Sequence, residues 1–435
     1  MPTLMRMRKY VLVFLVCTLS ATVLLKVGEI QYLELVLAAD FFLLVCLFAQ
    51  NRFQVRIFRP YFSLAESYAI FLSLAFLLSV IALRQNFFEF NDTLFKKPLI
   101  VTISRMAELF LDVFYMLYLA SLYREDEKIC RFAARTYFWT GIVGGIYALV
   151  TYPLSVMYDL ELGTSLSHRL RGFNNEGGSY GTYLISVCLL AIAMYRRKWL
   201  SRGKFYCGMA LLIVCMIGSQ SKAAFLAVAL LGMLLLMMGL KGWKRLTLSV
   251  ATCVFVVILA SFINLASQIN VYVKASASYQ TYSKLRSEDG NYVMGRVSGA
   301  VLAPRMIEAH PFLGIGWGNY PLVRDDPQYR RGTAFSLASI DSPSLGPIDY
   351  IVELGFPLWV YMTWIAIKPV YLLRRHGSNI WLIGLAMMQP LSNWFGAHLN
   401  LTYPWVVVGL ALGMGFLKKD QTPGETALVS AGIKI

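Results

Sequence analysis

The chain predicts an all-α polytopic membrane protein with about twelve transmembrane helices and one large extracytoplasmic loop. Three observations carry this. Hydrophobic residues make up 57% of the 435 positions and charged residues only 15%, with a mean hydropathy of +0.58, whereas soluble domains run near half apolar and about a quarter charged. Apolar stretches long enough to cross a bilayer, about 20 residues each, recur along the chain. Basic residues then fall in every second connection between those stretches.

The stretches occur at 10–26, 31–50, 61–83, 99–122, 136–157, 180–195, 205–219, 222–240, 246–266, 347–367, 379–396 and 399–417. The first follows Met5-Arg6-Met7-Arg8-Lys9, a basic start like that of a signal peptide. No small-residue cleavage pattern accompanies it and another stretch comes at once, so it reads as an uncleaved first helix. The seventh and eighth are short, separated by a few polar residues, and their register decides the parity of the count.

The basic connections hold Arg52, Arg56 and Arg59 after the second stretch, then Arg124, Lys128, Arg131 and Arg135 after the fourth. Arg196, Arg197, Lys198, Arg202 and Lys204 follow the sixth, and Lys241, Lys244 and Arg245 the eighth. Lys368, Arg374 and Arg375 follow the tenth, and Lys418 and Lys419 the twelfth. The bias of Lys and Arg toward the cytoplasm puts these connections and both termini inside. The expected organisation is transmembrane helices one to nine over 1–266, a large, partly helical extracytoplasmic (periplasmic) loop over 267–346, helices ten to twelve over 347–417, and a cytoplasmic tail over 418–435.

The net charge of +16 is accounted for by this topology and by attraction to the lipid surface, so no nucleic-acid partner is implied. Cys17, Cys46, Cys130, Cys188, Cys207, Cys215 and Cys253 lie within or beside apolar stretches without CxxC or Cys/His spacing. They read as small buried hydrophobes, with no disulfide framework and no metal site.

Function concentrates in long non-membrane segments, which on this topology face outward. One, 158–179, contains His168-Arg169-Leu170-Arg171-Gly172-Phe173-Asn174-Asn175-Glu176-Gly177-Gly178. Arginine forks suit an anionic headgroup, and glycines let backbone N–H groups approach it; the plainer reading is a loop whose arginines reach lipid phosphates. A second outward cation is Lys222, in Ser219-Gln220-Ser221-Lys222. The large loop adds Arg296, Arg305, Glu308 and His310, then Pro311-Phe312-Leu313-Gly314-Ile315-Gly316-Trp317-Gly318-Asn319-Tyr320. The span from Met294 to Ala309 is helix-compatible, and nine residues separate Arg296 from Arg305, about 2.5 turns, so one of the two faces the site. His310 reads equally as a base or as a helix cap. The alternating glycines follow no strand, which fails the context a nucleotide-binding loop requires. These outward segments should converge.

Inside the membrane, Arg105, Glu108 and Asp112 recur at i, i+3 and i+7 and share one helix face. Charges in hydrocarbon must be paired or face a cavity, so this intramembrane polar network marks a bundle interior, with Asp40 as a further member. A self-neutralised structural network and a catalytic role are both open.

The run from Arg296 through Arg305 and His310 to Tyr320, followed by Asp349-Tyr350-Ile351-Val352-Glu353-Leu354-Gly355, resembles the C-terminal signature of the O-antigen ligase and polymerase superfamily. Arg169-Leu170-Arg171-Gly172 and Ser219-Gln220-Ser221-Lys222-Ala223 are similar to that family's other outward motifs, with lysine where arginine is usual. The resemblance covers roughly 140–415. It implies a GT-C-like, metal-independent membrane glycosyltransferase of the bacterial inner membrane, without cofactors. Such an enzyme moves a glycan from undecaprenyl diphosphate to an acceptor hydroxyl on the periplasmic face. Fixed cations would neutralise the departing diphosphate, with Arg169, Arg171 and Lys222 binding it and Arg296 and Arg305 catalytic. The base would be Glu176, His310 or Asp341.

Ligases of this family carry a His-Asn pair where this chain has Ser344-Leu345, and Glu176-Gly177-Gly178 is similar to a motif of exopolysaccharide and O-antigen polymerases. A polymerase is therefore the preferred expectation, with a flippase and a chain-length regulator as implied partners. A ligase acting on lipid A-core or protein is the alternative. A lipid-linked sugar transporter is the alternative of another class, although no internal repeat relates 1–215 to 216–435.

Overall fold

A computed structural model describes residues 2–19, 26–27, 30–31, 58–85, 97–158, 163–164, 169–174, 177–239, 302–323, 326–330, 347–394 and 402–417. The helices among them are α1 (Pro2–Leu19), α2 (Arg59–Gln85), α3 (Pro98–Glu125), α4 (Glu127–Tyr158), α5 (Gly177–Arg196), α6 (Arg202–Gly218) and α7 (Lys222–Gly239). They continue with α8 (302–309), α9 (Tyr320–Val323), α10 (Pro327–Arg330), α11 (Pro347–Arg375), α12 (Ile380–Ala386), α13 (Met388–Trp394) and α14 (Thr402–Gly415). A short antiparallel pair, β1 (Lys26–Val27) and β2 (Ile30–Gln31), sets Val27 opposite Ile30.

The protein is thus mainly helical. Among the described residues, four helices are long and apolar enough to cross a membrane: Arg59–Arg84, Glu127–Tyr158, Gly178–Arg196 and Ile348–Arg375. The predicted stretches 31–50 and 246–266 lie outside the described residues, and each of the others falls on a helix. Helix α1 begins earlier than the stretch 10–26 and ends at Leu19. The stretch 379–396 is not one helix but two, α12 and α13, parting at Met387. Pro390 supplies the reason, because its ring has no N–H for the Ala386 carbonyl and would clash with it. The seventh and eighth stretches remain separate helices, with Gln220 at φ 47° turning the chain between them. Cys17, Cys130 and Cys215 are buried as expected, whereas Cys207 is exposed on α6.

Local chemistry sets the boundaries. Pro98 at the first position of α3 is preorganised for a helix start. Asp126 separates α3 from α4, and its side-chain Oδ1 accepts from the N–H groups of Lys128 at 2.9 Å and Ile129 at 3.3 Å, capping α4.

Close packing follows small residues. A Cβ at Gly409 or Gly413 of α14 would press on the Met116 carbonyl or on Tyr123 of α3, so these glycines let the two helices approach backbone to backbone. Buried hydroxyl pairs cross the bundle, Tyr137 with Ser186 at 2.9 Å and Thr182 with Tyr403 at 2.8 Å.

These contacts order the helix ends. At one end Arg124 stacks over Phe58, its guanidinium carbon 3.4 Å from the ring centre, and Phe58 meets Phe416. Arg135 donates to the Trp199 carbonyl, Arg197 to the Met414 carbonyl, and His376 stacks on Phe416. This end gathers the amino termini of α2 and α4 with the carboxyl termini of α3, α5, α11 and α14, and therefore the basic connections. The opposite end gathers the carboxyl termini of α2 and α6 with the amino termini of α3, α5, α7 and α11. Most of the sequence-derived polar candidates that are described lie there.

A candidate active site at the end opposite the basic connections

The segment 169–174 is stitched to both of its neighbours. The Leu170 N–H donates to the Gly218 carbonyl at 3.0 Å, and the Arg171 N–H to the Gly163 carbonyl at 2.9 Å. Arg169 sends Nε to the Ser219 carbonyl at 3.2 Å and an Nη to the Gln220 carbonyl at 3.3 Å. Arg171 is buried, at 7% exposure. Phe173 stacks on Tyr147 of α4, and Gly172 lies against the ring of Tyr180 on α5.

The connection 219–221 then launches α7. Ser221 caps it: its Oγ accepts from the Ala224 N–H at 3.1 Å and itself donates to the Gly178 carbonyl at 3.2 Å, tying α7 to α5. Gly181 makes this possible, since a Cβ there would strike Ser221 and Ala224. Lys222 is the first residue of α7. The amino end of a helix, with uncommitted N–H groups and a positive dipole, thus stands beside the arginine segment.

The second part of the site grows from a break in α11. Pro357 has no N–H for the Glu353 carbonyl, and Gly355 leaves the helical region at φ 73°, ψ 165°. The groups this frees are taken up by the loop after α8. Ile315 N–H donates to the Val352 carbonyl and Gly316 N–H to the Glu353 carbonyl, both at 3.0 Å, and Phe356 N–H donates to the Pro311 carbonyl at 2.9 Å. Any side chain at Gly355 would overlap the Phe312 carbonyl. The buried Glu353 carboxyl closes the joint by accepting from the Tyr320 N–H at 3.2 Å.

The same loop is pinned to α2 and α3. Trp317 N–H donates to Ser79 Oγ at 3.0 Å, Thr102 Oγ1 donates to the Trp317 carbonyl at 2.8 Å, and Asn319 Nδ2 donates to Thr102 Oγ1 at 3.1 Å. The glycine-rich run is therefore a clasp joining three helices, not a cradle for phosphates.

Ahead of the clasp, α8 carries Arg305 and α10 carries Tyr329. Arg305 Nη1 donates to the Tyr329 carbonyl at 2.8 Å, and His310 Nε2 shares a hydrogen bond of 2.9 Å with the Tyr329 hydroxyl. Burial holds the half-buried His310 below the ordinary imidazole range. Burial also pushes the Tyr329 hydroxyl up, with the Asp326 carboxylate adding to it and a hydrogen bond from Gln328 opposing it. His310 is a neutral ring at pH 7, able to hold or accept a proton.

The intramembrane network stands beside the clasp. Arg105 and Glu108 of α3 pair at 3.1 Å, Asp112 one turn on is buried at 2% exposure, and the Arg105 side chain packs against Gly318.

Of the residues singled out from sequence, Arg169, Arg171 and the start of α7 at Lys222 come together, Arg305 and His310 meet through Tyr329, and Arg105 with Glu108 meets the clasp. Arg296, Glu176, Asp341 and Asp40 lie outside the described residues. Sequence reasoning missed Tyr329 and the pinning residues Ser79 and Thr102. It quoted Glu353 only as part of a motif; the Glu-Leu-Gly-Phe-Pro order, a carbonyl that loses its helical donor, was the available signal.

The bundle and this polar end define a polytopic membrane protein whose described polar candidates lie mostly at one end. A model of the O-antigen ligase family matches residues 207–363, which run from α6 into α11 and include the clasp. The match supports a likeness to the O-antigen ligase and polymerase superfamily over that part of the chain. No curated protein matches the chain.

Proposed function

We propose that the protein is a polysaccharide polymerase of the bacterial inner membrane. It joins undecaprenyl-diphosphate-linked oligosaccharide units at the periplasmic end of the bundle, for O-antigen, capsule or exopolysaccharide. The observation that carries this reading is the stitched segment 169–174. It ties Arg169 to the 219–220 connection that leads into α7, with the buried Arg171 two residues on, at the same end of the bundle as Arg305 and His310. The gathering of basic residues at the other end supports the outward orientation.

In the reaction, an acceptor hydroxyl attacks the anomeric carbon of the donor while the bond from that carbon to the diphosphate oxygen breaks. Undecaprenyl diphosphate leaves, and Arg169 and Arg171, with Lys222, Arg296 and Arg305, offset its charge as it develops. A base takes the proton of the attacking hydroxyl. His310, neutral and fixed by Tyr329, fits that role, with Glu176 and Asp341 as the other candidates. A chain-length regulator and a flippase would be its working partners.

The description of the matching family favours a second reading, a ligase that transfers finished glycan to lipid A-core or protein. Ser344, where such ligases carry histidine, favours the polymerase. A strain lacking the gene separates the two. Single repeats held on the lipid carrier are the polymerase result, long chains on the carrier with a bare acceptor are the ligase result, and normal surface polymer ends both. Arg169→Ala and Arg296→Ala should abolish product while the protein still inserts; normal-length product from both variants removes the arginine clamp.

A further inference from the structure

Asn174 is buried, at 1% exposure, and among the described residues neither its side-chain oxygen nor its nitrogen has a hydrogen-bond partner. A carboxamide taken out of water with both ends unmade is costly. The shape of the site does not require it, because leucine, nearly the same shape, would fill the space without that penalty. Nor does the turn depend on the side chain: the fold in the backbone is held by Asn174 N–H to the Arg171 carbonyl at 2.8 Å and by the bonds of Leu170 and Arg171 to Gly218 and Gly163.

The carboxamide sits three residues after the buried Arg171 and five after Arg169, in the segment tied to 218–220. Its neighbour Phe173 stacks on Tyr147 with ring centres 5.1 Å apart, giving the turn an apolar aromatic wall. A carboxamide that can both donate and accept, in the same short turn as an aromatic stack and two arginines, matches the chemistry of a sugar ring one bond away from a diphosphate. Carboxamides pair with vicinal hydroxyls or with an acetamido group, which likewise offer one donor and one acceptor.

We infer that Asn174 is a specificity-determining residue that reads the polar substituents of the first sugar of the lipid-linked donor. This rests on the glycosyltransferase reading above and adds to it the group that distinguishes one donor from another. The donor supplies the two hydrogen bonds that the carboxamide lacks within the turn, so the unmet group becomes a source of selectivity: a donor without the matching groups leaves it unpaired.

The test uses purified full-length protein and four probes: bare polyprenyl diphosphate, and the same lipid diphosphate carrying glucose, N-acetylglucosamine or 2-deoxyglucose. For the native chain, one of the two substituted sugars should bind about tenfold more tightly than the 2-deoxy sugar. In Asn174→Ala and Asn174→Leu that difference should vanish while affinity for the bare lipid diphosphate is kept. Asn174→Leu should also unfold at a temperature about 1–4 °C higher than the native chain, since it removes an unmet polar group.

A native chain that binds all three sugars alike, or variants that keep the native selectivity, overturns the inference while leaving the arginine site standing. Loss of the bare lipid diphosphate together with a lowered melting temperature in both variants assigns Asn174 a structural role and overturns it as well. A native chain that binds none of the four probes removes the glycosyltransferase reading, and the inference with it.

Discussion

Gly355→Ala tests the clasp at its narrowest point. The native residue has φ 73° and ψ 165°, a region essentially confined to glycine that costs a residue with a side chain about 1–3 kcal/mol. The added methyl would also overlap the Phe312 carbonyl, and because the obstacle is backbone, the loop must lift to make room. Lifting it endangers the three backbone bonds between Pro311, Ile315, Gly316 and the break in α11, at about 1 kcal/mol each. Together these give a loss of about 4–6 kcal/mol.

Two other glycines separate the contributions. Gly377 also has positive φ, at 70°, but among the described residues nothing stands within 4 Å of its missing Cβ, so Gly377→Ala should lose only the conformational part, about 1–2 kcal/mol. Gly232 is open and helical, and Gly232→Ala should stay within about 0.5 kcal/mol of the native chain. The assay is the fraction of detergent-purified protein that remains monodisperse after heating, read as a midpoint temperature. The clasp argument is refuted if Gly355→Ala melts no lower than Gly377→Ala.

Tyr329→Phe removes the hydroxyl that fixes His310 Nε2 and should shift the acid limb of the pH–rate profile; an unmoved limb with only a lower plateau makes the contact structural. Because burial lowers His310 in the folded chain, its neutral form persists as the pH falls below the free-imidazole value of about 6.5. Activity that needs a neutral His310 should therefore survive to below pH 6.5, and the stability tied to that group should be full above 6.5 and fall as the pH drops through the lowered value. An acid limb above 6.5 contradicts both. Glu353→Leu strands the Tyr320 N–H and should lower stability by about 1–3 kcal/mol, with Glu353→Gln recovering most of it. Gly413→Leu should force α14 from α3 and reduce the amount of folded protein in the membrane; normal yield would contradict the close packing seen there.

Hydropathy made most of the helices legible because the signal is local: a run of about 20 apolar residues is visible without knowing its neighbours. It overlooked the split at Met387, where Pro390 outweighs an unbroken apolar run. The alternation of basic connections was legible for the same reason, and the described connections meet at one end of the bundle.

The site was legible as residue types but not as contacts. Arg169 was read as a phosphate fork, and its guanidinium is in part spent on the Ser219 and Gln220 carbonyls. Ser79 and Thr102 gave no signal at all, being ordinary hydroxyls in apolar helices whose partners lie 238 and 215 residues away. Tyr329 was hidden likewise, since nothing in its surroundings announces that a histidine 19 residues earlier will find it.

The break in α11 has a consequence for the making of the protein. The clasp needs Ser79 and Thr102, synthesised early, to wait for a loop near residue 317 and then for backbone groups at 352–356 that emerge later still. Chains leave the ribosome in order, and joints between distant segments close last. A nascent chain halted before α11 therefore holds its arginine segment and can pair His310 with Tyr329, but the clasp itself closes only once the tenth predicted crossing has been made.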